Sequence, residues 1–363
     1  MITEQQILEA LKNVIDPDFN KDIVTLGMVK DLVIEGNNVN FTVVLTTPAC
    51  PLKEAIHKAC VNAIIYYVDK DAVVNVNMTA RVTTPRKEKQ ASLPGVKNII
   101  AVASGKGGVG KSTVASNLAV ALAIKGAKVG LLDADIYGPS VPLLFDMENE
   151  KPKIVESSGK TIMVPLEQYG VKLLSIGFFL GASQALPWRG PMASKALLQL
   201  INDADWGELD YLIIDLPPGT GDIQLSLVTG AALTGAVVVS TPQKVALADV
   251  RKAVNMFAHK DIHVPVLGIV ENMAYFTPAE LPANKYYIFG RDGAKNLAAE
   301  LNVPLLGQVP LVQSICEAGD AGRPAVLQGD TPQAVAFVEI AGNLARQVAI
   351  ANKQKDEKYL EKV

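Results

Sequence analysis

The sequence predicts an α/β protein, a doubly wound, mostly parallel sheet preceded by a small α+β domain. Three observations carry this. Residues 98–103 are an apolar run, followed by a glycine-rich loop and then by Val114, Leu118 and Leu122 at helical spacing, which reads as strand, loop, helix. Two later apolar runs, 129–133 and 211–215, each close on an aspartate, as parallel strands do where they open on a ligand crevice. A chain of 363 residues with 49% hydrophobic and 20% charged content is long enough for about two domains with a large core.

The first domain is expected over residues 1–84. Thr3 and Gln6 form a capping box ahead of Ile7, Leu8, Leu11, Val14 and Ile15, which share one helical face. Residues 28–35 and 39–46 read as a hairpin turned at Gly36-Asn37-Asn38, with Val39, Phe41, Val43 and Leu45 alternating to one side. A second helix follows Pro51, taken as its first residue, and residues 73–82 add a strand. Residues 85–97 are polar and charged with two prolines, and read as a linker.

The second domain is expected over residues 98–352. Its loop, Gly105-Lys106-Gly107-Gly108-Val109-Gly110-Lys111-Ser112, fits G-x-x-x-x-G-K-[ST], the phosphate loop of P-loop NTPases. Glycines let the backbone take left-handed angles and turn N–H groups inward, and the following helix points its positive end at the same anion. Lys111 is expected on the β- and γ-phosphates and Ser112 on Mg²⁺, with ATP as the nucleotide.

Downstream, Asp133 is placed to assist the metal, Asp135 to orient an attacking water, and Asp215 to hold Mg²⁺ in the manner of a Walker-B aspartate, followed by a movable glycine turn. Residues 162–166 and 171–176 are expected as a hairpin. Phe178-Phe179-Leu180 is either core or a partner surface, and residues 187–195, with Trp188 and Arg189, turn into the helix carrying Leu197, Leu198 and Ile201. Strands at 236–240 and 266–270 alternate with a helix at 245–257. Asn272 carries an amide able to pair with an adenine edge. A last strand at 305–310 and a helix at 332–351 precede a charged tail, 353–363.

The net charge of −3 argues against a nucleic-acid or anionic-membrane binder. No run of about 18 apolar residues is present, and Met1-Ile2-Thr3-Glu4 does not open a signal peptide, so a cytoplasmic protein with no nucleic-acid and no membrane partner is expected. The cysteines Cys50, Cys60 and Cys316 include no C-x-x-C pair, and His57, His259 and His263 have no metal-ligand spacing. Cys60 reads as core. Cys50, at the junction of strand and second helix, reads either as an activated thiol or metal ligand or as a structural residue.

Taken together, Lys106-Gly107-Gly108-Val109-Gly110-Lys111-Ser112-Thr113, Asp133-Ala134-Asp135, Gly138-Pro139-Ser140 and Asp215-Leu216-Pro217-Pro218-Gly219 resemble the Mrp-type iron-sulfur cluster carrier ATPases, of the deviant Walker-A, MinD/ParA-like superfamily. Asp16-Pro17-Asp18, Asp22-Ile23-Val24, Leu26-Gly27 and Thr47-Pro48-Ala49-Cys50-Pro51 resemble the SufT-like domain often fused to them.

The resemblance implies a homodimer in which Lys106 reaches the phosphates bound by the other subunit, Asn272 contacts the base, and residues 105–113 bind the nucleotide. It also implies ATP hydrolysis coupled to assembly or delivery of iron-sulfur clusters, with cluster assembly proteins and apo iron-sulfur proteins as partners. Where the family usually places C-x-x-C after Glu271-Asn272-Met273-Ala274-Tyr275-Phe276, giving one 4Fe-4S cluster four thiolates from two subunits, this chain has Thr277-Pro278-Ala279-Glu280-Leu281-Pro282. Cys50, one per subunit, or Cys316 is left for transient iron binding, or the protein serves assembly without holding a cluster. The alternative function is a MinD/ParA-like ATP-driven dimer switch that positions a protein partner.

Overall fold

The computed structural model describes residues 2–84, 93, 95–157, 159–179, 190–278, 280–281 and 283–360. The chain divides into two compact units, Met1–Thr83 and Thr84–Val363. Most of the expected linker, together with Leu180, Trp188, Arg189, Ala279 and Pro282, lies outside the described residues.

The first unit runs α1 (Glu4–Leu11), β1 (Ile15–Asp16), β2 (Lys21–Asp22), β3 (Val29–Glu35), β4 (Asn38–Leu45), α2 (Lys53–Tyr67) and β5 (Val73–Ala80). The capping box forms: the Gln6 N–H donates to Thr3 Oγ1 and the Thr3 N–H to Gln6 Oε1. Alternation in β4 sends Val39, Phe41, Val43 and Leu45 into a core shared with Ile7, Leu11, Ile56 and Ile64. β3 and β4 are antiparallel, whereas β5 lies parallel to β4, so α2 is a crossover helix.

The expectation for Pro51 is corrected. α2 begins at Lys53 with Leu52 as its N-cap, which puts Pro51 one residue before the cap and Cys50 two before it. Residues 51–52 close a turn instead, with the Lys53 N–H on the Cys50 carbonyl.

The second unit runs β6 (Val96–Ala103), α3 (Lys111–Ile124), β7 (Val129–Asp133), α4 (Val141–Leu144), β8 (Lys153–Ser157), β9 (Lys160–Val164), β10 (Leu166–Gln168), β11 (Val171–Ser175), α5 (Gly190–Asn202) and β12 (Leu209–Asp215). It continues with α6 (Asp222–Gly230), β13 (Gly235–Ser240), α7 (Lys244–Ala258), β14 (Val266–Glu271), α8 (Gly293–Glu300), β15 (Leu305–Gln308), α9 (Gln313–Asp320) and α10 (Pro332–Leu360). Eight strands form one sheet in the order β10-β11-β7-β12-β6-β13-β14-β15, and all but β10 are mutually parallel. Their apolar runs are buried on both faces, as crossover helices demand. From β6 the chain crosses to β7 on one side and later returns to β13 on the other, so the carboxyl ends of β6 and β12 face the switch-point crevice.

Two expectations change here. Of residues 162–166 only Leu166 pairs with 171–176, on Leu173: residues 162–164 belong to the separate β8–β9 ribbon, and the hairpin is β10–β11, because Tyr169 and Gly170 take the positive φ of a tight turn. The charged tail is not a tail through residue 360, since α10 continues to Leu360. Long-range anchors hold it: Asn352 Nδ2 donates to Asn98 Oδ1 at 3.0 Å and Lys355 Nζ to the Thr234 carbonyl at 3.1 Å. Residues 332–357 of α10 are apolar and long enough to cross a bilayer by composition, but Phe337, Ile340, Leu344 and Val348 are spent on the core, and α10 packs on α3 and β15. Phe178 is buried and Phe179 half-exposed.

Candidate functional site

The site begins with the loop between β6 and α3. Gly108 and Gly110 take φ +79° and +80°, and a Cβ at Gly110 would run into the Asn272 amide, so this turn admits only glycine without strain. A Cβ at Gly105 would strike the Asp249 backbone. Val109 is buried beneath the loop, while Lys106, Gly107 and Gly108 are exposed at its tip. The Lys106 side chain makes no salt bridge with the described residues.

Lys111 opens α3 and is only 6% exposed. Its Nζ donates to Asp215 Oδ1 at 2.5 Å and to Ser112 Oγ at 3.2 Å, and lies 4.0 Å from Asp135 Oδ2. The three acids come from neighbouring strand ends: Asp133 from β7, Asp215 from β12, and Asp135 from the loop after β7. Asp133 and Asp215 are register partners across the parallel pair.

The three carboxylates differ in what they have left to offer. Asp133 is fully buried and both its oxygens accept hydrogen bonds from the protein, Oδ1 from the Asp135 N–H at 3.1 Å, and Oδ2 from the Val141 N–H and Ser175 Oγ, each at 3.0 Å. Burial, reinforced by the negative charge of Asp215, pushes its carboxyl up to about 7. Asp215 is also raised by burial, while Lys111 pulls it back. Its Oδ2 is buried with no hydrogen-bond partner among the described residues. Asp135 is raised by burial against the pull of Lys111, and its side chain keeps 15% exposure.

On the far side of the loop, Asn272 follows β14. Its Nδ2 donates to the Val109 carbonyl at 2.8 Å, so it braces the phosphate loop, and it lines a cavity of about 280 Å³ with Gly110, Thr113, Leu311, Val312 and Ile315. The neighbouring Glu271 is structural: one oxygen accepts the Ala294 N–H at the start of α8 and the other the Gln308 amide. The sheet thus gathers Lys111, Ser112, Asp133, Asp135, Asp215 and Asn272 around one loop.

Cys50 is not among them. It belongs to the first unit, where it packs half-buried against that unit's core. Cys60 is pushed up to about 12 by burial, and Cys316, exposed on α9, is raised chiefly by the charge of Asp320. Among the described residues no cluster of three or more His, Cys, Asp or Glu side chains is arranged to hold a metal.

One residue escaped the sequence reading. Gln224, on the first turn of α6, is 1% exposed, and neither Oε1 nor Nε2 has a hydrogen-bond partner among the described residues. It lines a second cavity, of about 380 Å³, shared with Asp135, Tyr137, Pro217, Pro218 and Gly221. Its position three residues after Gly221, in the turn that follows Asp215, was the available signal.

Comparison with known proteins bears on this arrangement. The family model described as NUBPL iron-transfer P-loop NTPase matches residues 95–345, and that described as iron-sulfur cluster assembly protein matches residues 4–78. An iron-sulfur cluster carrier protein of Synechocystis sp. is 46% identical over 357 residues, covering 97% of this chain and 99% of that protein. The iron-sulfur cluster carrier protein of Escherichia coli is 49% identical over 267 residues, covering 74% of this chain and 70% of that one. A solved nucleotide-binding protein of Archaeoglobus fulgidus, in complex with ADP, is 39% identical with a TM-score of 0.58, covering 67% of this chain and 93% of that chain. With a phosphate loop, strand-end acids and a parallel sheet in the order such nucleotide sites require, the chain belongs to the NUBPL iron-transfer P-loop NTPase family.

Proposed function

We propose that this protein is an ATP-dependent iron-sulfur cluster carrier or assembly factor, which hydrolyses ATP in the β6–β7–β12 crevice and delivers clusters to apoproteins. The observation that carries the nucleotide half is the buried Lys111, held on Asp215 and beside Asp135 at the foot of a loop with two left-handed glycines. The family match and the nearly full-length likeness to a carrier protein support the cargo.

Without nucleotide, Lys111 rests on Asp215. A triphosphate brings more negative charge than one carboxylate, so the lysine turns to the β- and γ-phosphates and releases Asp215. The donor set suits Mg²⁺, because Asp215 Oδ2 is a buried oxygen in need of a cation and the Ser112 hydroxyl is a hard oxygen beside it. Bound there, Mg²⁺ would neutralise charge on the phosphate oxygens.

Asp135 is the acid whose side chain keeps some exposure and has a cavity beside it, so it orients the attacking water and takes its proton. Asp133, with both oxygens committed, holds the loop from Asp135 to Val141 in place. The backbone of residues 105–113 cradles the phosphates, and the base occupies the cavity beside Asn272. Lys106, exposed and without a salt bridge to the described residues, is placed to reach the partner's phosphates in a homodimer.

For the cargo, Cys50 is the thiol left once burial silences Cys60 and Asp320 holds Cys316 protonated. With one Cys50 per subunit, a second copy or the assembly and recipient proteins complete the ligand set. The reduced thiols of a cytoplasmic setting suit this role.

The deciding experiment pairs two assays. Lys111→Ala abolishes ATP turnover, and Asp135→Asn keeps binding but slows hydrolysis; wild-type turnover in both removes the site from the mechanism. Anaerobic reconstitution with iron and sulfide, with absorbance and iron counting, should load the wild type and not Cys50→Ser. Equal loading of the two clears Cys50 of the role.

A further inference from the structure

Gln224 has no task in the mechanism so far, yet its placement is costly. A buried amide with both ends unpaired gives up its hydrogen bonds to water without replacing them, and a leucine of similar size would pack there without that penalty. The amide sits on the first turn of α6, directly after the Asp215 strand and the Gly219-Thr220-Gly221 turn. It shares its cavity with Asp135, the residue assigned to the attacking water.

We propose that Gln224 is a catalytic residue for ATP hydrolysis, holding the attacking water between its amide and the Asp135 carboxylate. This rests on the reading of Asp135 and Lys111 given above. An amide suits the task because it offers one acceptor and one donor from the same rigid plane. Oε1 accepts one water hydrogen while Asp135 accepts the other, which aims the oxygen lone pair, and Nε2 donates to a γ-phosphate oxygen as charge builds there.

The step balances with water as the only co-reactant. The water oxygen forms the new bond to the γ-phosphorus, the bond from that phosphorus to the β,γ-bridging oxygen breaks, and the electron pair leaves on ADP. The proton passes through Asp135 to the phosphate product.

Both amide atoms are buried, and the turn before α6 is tied to the phosphate loop by the Gly219 N–H on the Ser104 carbonyl at 3.0 Å. The same bond links the filling of the loop to the placement of Gln224. A triphosphate in the cradle brings the γ-phosphate oxygen and the water with which the amide pairs. Its unmet hydrogen bonds thus favour the arrangement in which the water and the γ-phosphate meet them.

The test uses the full chain and four forms: wild type, Gln224→Leu, Gln224→Glu and Asp135→Asn. Single-turnover hydrolysis, ATP affinity, affinity for ADP with aluminium fluoride and melting temperature are measured on each. Gln224→Leu is expected to melt at or above the wild type, to bind ATP within about twofold, and to lose about 10- to 100-fold both in hydrolysis and in affinity for the transition-state mimic. Gln224→Glu, which keeps an acceptor but loses the donor and adds charge, is expected to be slow as well.

Wild-type hydrolysis by Gln224→Leu while Asp135→Asn is slow overturns the role of Gln224 alone. Wild-type hydrolysis by Asp135→Asn overturns the underlying reading of the site. A fall in melting temperature for both Gln224 variants, with hydrolysis per folded molecule unchanged, shows the amide to be structural and also overturns the proposal.

Discussion

Replacing Lys111 by methionine tests the charge arrangement of the site apart from its chemistry. The Lys111–Asp215 pair is 2.5 Å long, with Asp215 fully buried and Lys111 nearly so, and Asp215 Oδ2 has no other partner among the described residues. Removing one member of such a pair leaves a buried charge uncompensated, at a cost of about 3–5 kcal/mol. In a unit this large each kcal/mol moves the melting temperature by about 2–4 °C, so Lys111→Met is expected to melt on the order of 10 °C lower without nucleotide. Adding Asp215→Asn removes the stranded charge, so the double variant should regain more than half of the loss. The assay is thermal unfolding with and without ATP. At 100 times its dissociation constant, ATP should stabilise the wild type by about 2.7 kcal/mol. It should stabilise neither variant. The reasoning is refuted if Lys111→Met melts with the wild type, or if the double variant is no more stable than the single one.

The site and the fold allow further expectations. Asn272→Ala strands the Val109 carbonyl and loosens the loop, and should weaken ATP binding by roughly tenfold in a fluorescent-nucleotide titration. Gly110→Ala forces a side chain into a left-handed angle and against Asn272, costing about 1–3 kcal/mol in unfolding measurements and removing ATP binding. Lys106→Ala should leave the melting temperature unchanged, because the side chain is exposed, yet abolish any ATP-dependent dimer in sedimentation runs; a dimer as tight as the wild type's would remove Lys106 from the partner's site. Lys355, depressed below 10.5 by burial, binds its proton less readily folded than unfolded. Its penalty is therefore present at neutral pH and relieved as pH rises through its folded value towards 10.5, so wild type should gain stability relative to Lys355→Met across that alkaline window in denaturant titrations.

The sequence showed those parts of the site whose chemistry is contiguous. Residues 105–112 carry loop, lysine and hydroxyl in one stretch, and Asp133 and Asp215 each end an apolar run, so strand, crevice and acids could be read together. Side-chain commitment was not legible. Asp133 and Asp135 look alike in the sequence, and only the Asp135 N–H on one oxygen, with Val141 and Ser175, 42 residues away, on the other, commits both oxygens of Asp133, while Asp135 keeps part of its side chain exposed. Gln224 went unnoticed for the same reason, since lacking a partner is a property of the packed interior. The end of α10 was misjudged because its hold comes from Asn98 and Thr234, far away in sequence, while local composition shows only mixed charge. Pro51 shows the reverse failing: local preference put it at the first helical position, and a turn at Cys50 delayed the helix to Lys53.

The differences between the three acids also set how charge is shared around Lys111. Two buried carboxylates and a partly exposed third around one lysine would carry a costly excess of negative charge if all were ionised alike. Asp133 relieves part of this, because burial and the charge of Asp215 lift its carboxyl to about 7. Asp215 takes the lysine, and Asp135 keeps enough exposure for solvent to support its charge. An incoming triphosphate disturbs only the middle member of this series. On the function proposed above, Lys111 leaves Asp215 for the phosphates and the freed carboxylate then requires a cation. On that reading the Lys111–Asp215 pair is a latch that only a polyanion able to bring or attract a compensating cation opens, which favours a metal-chelated triphosphate over smaller anions that fit the same loop.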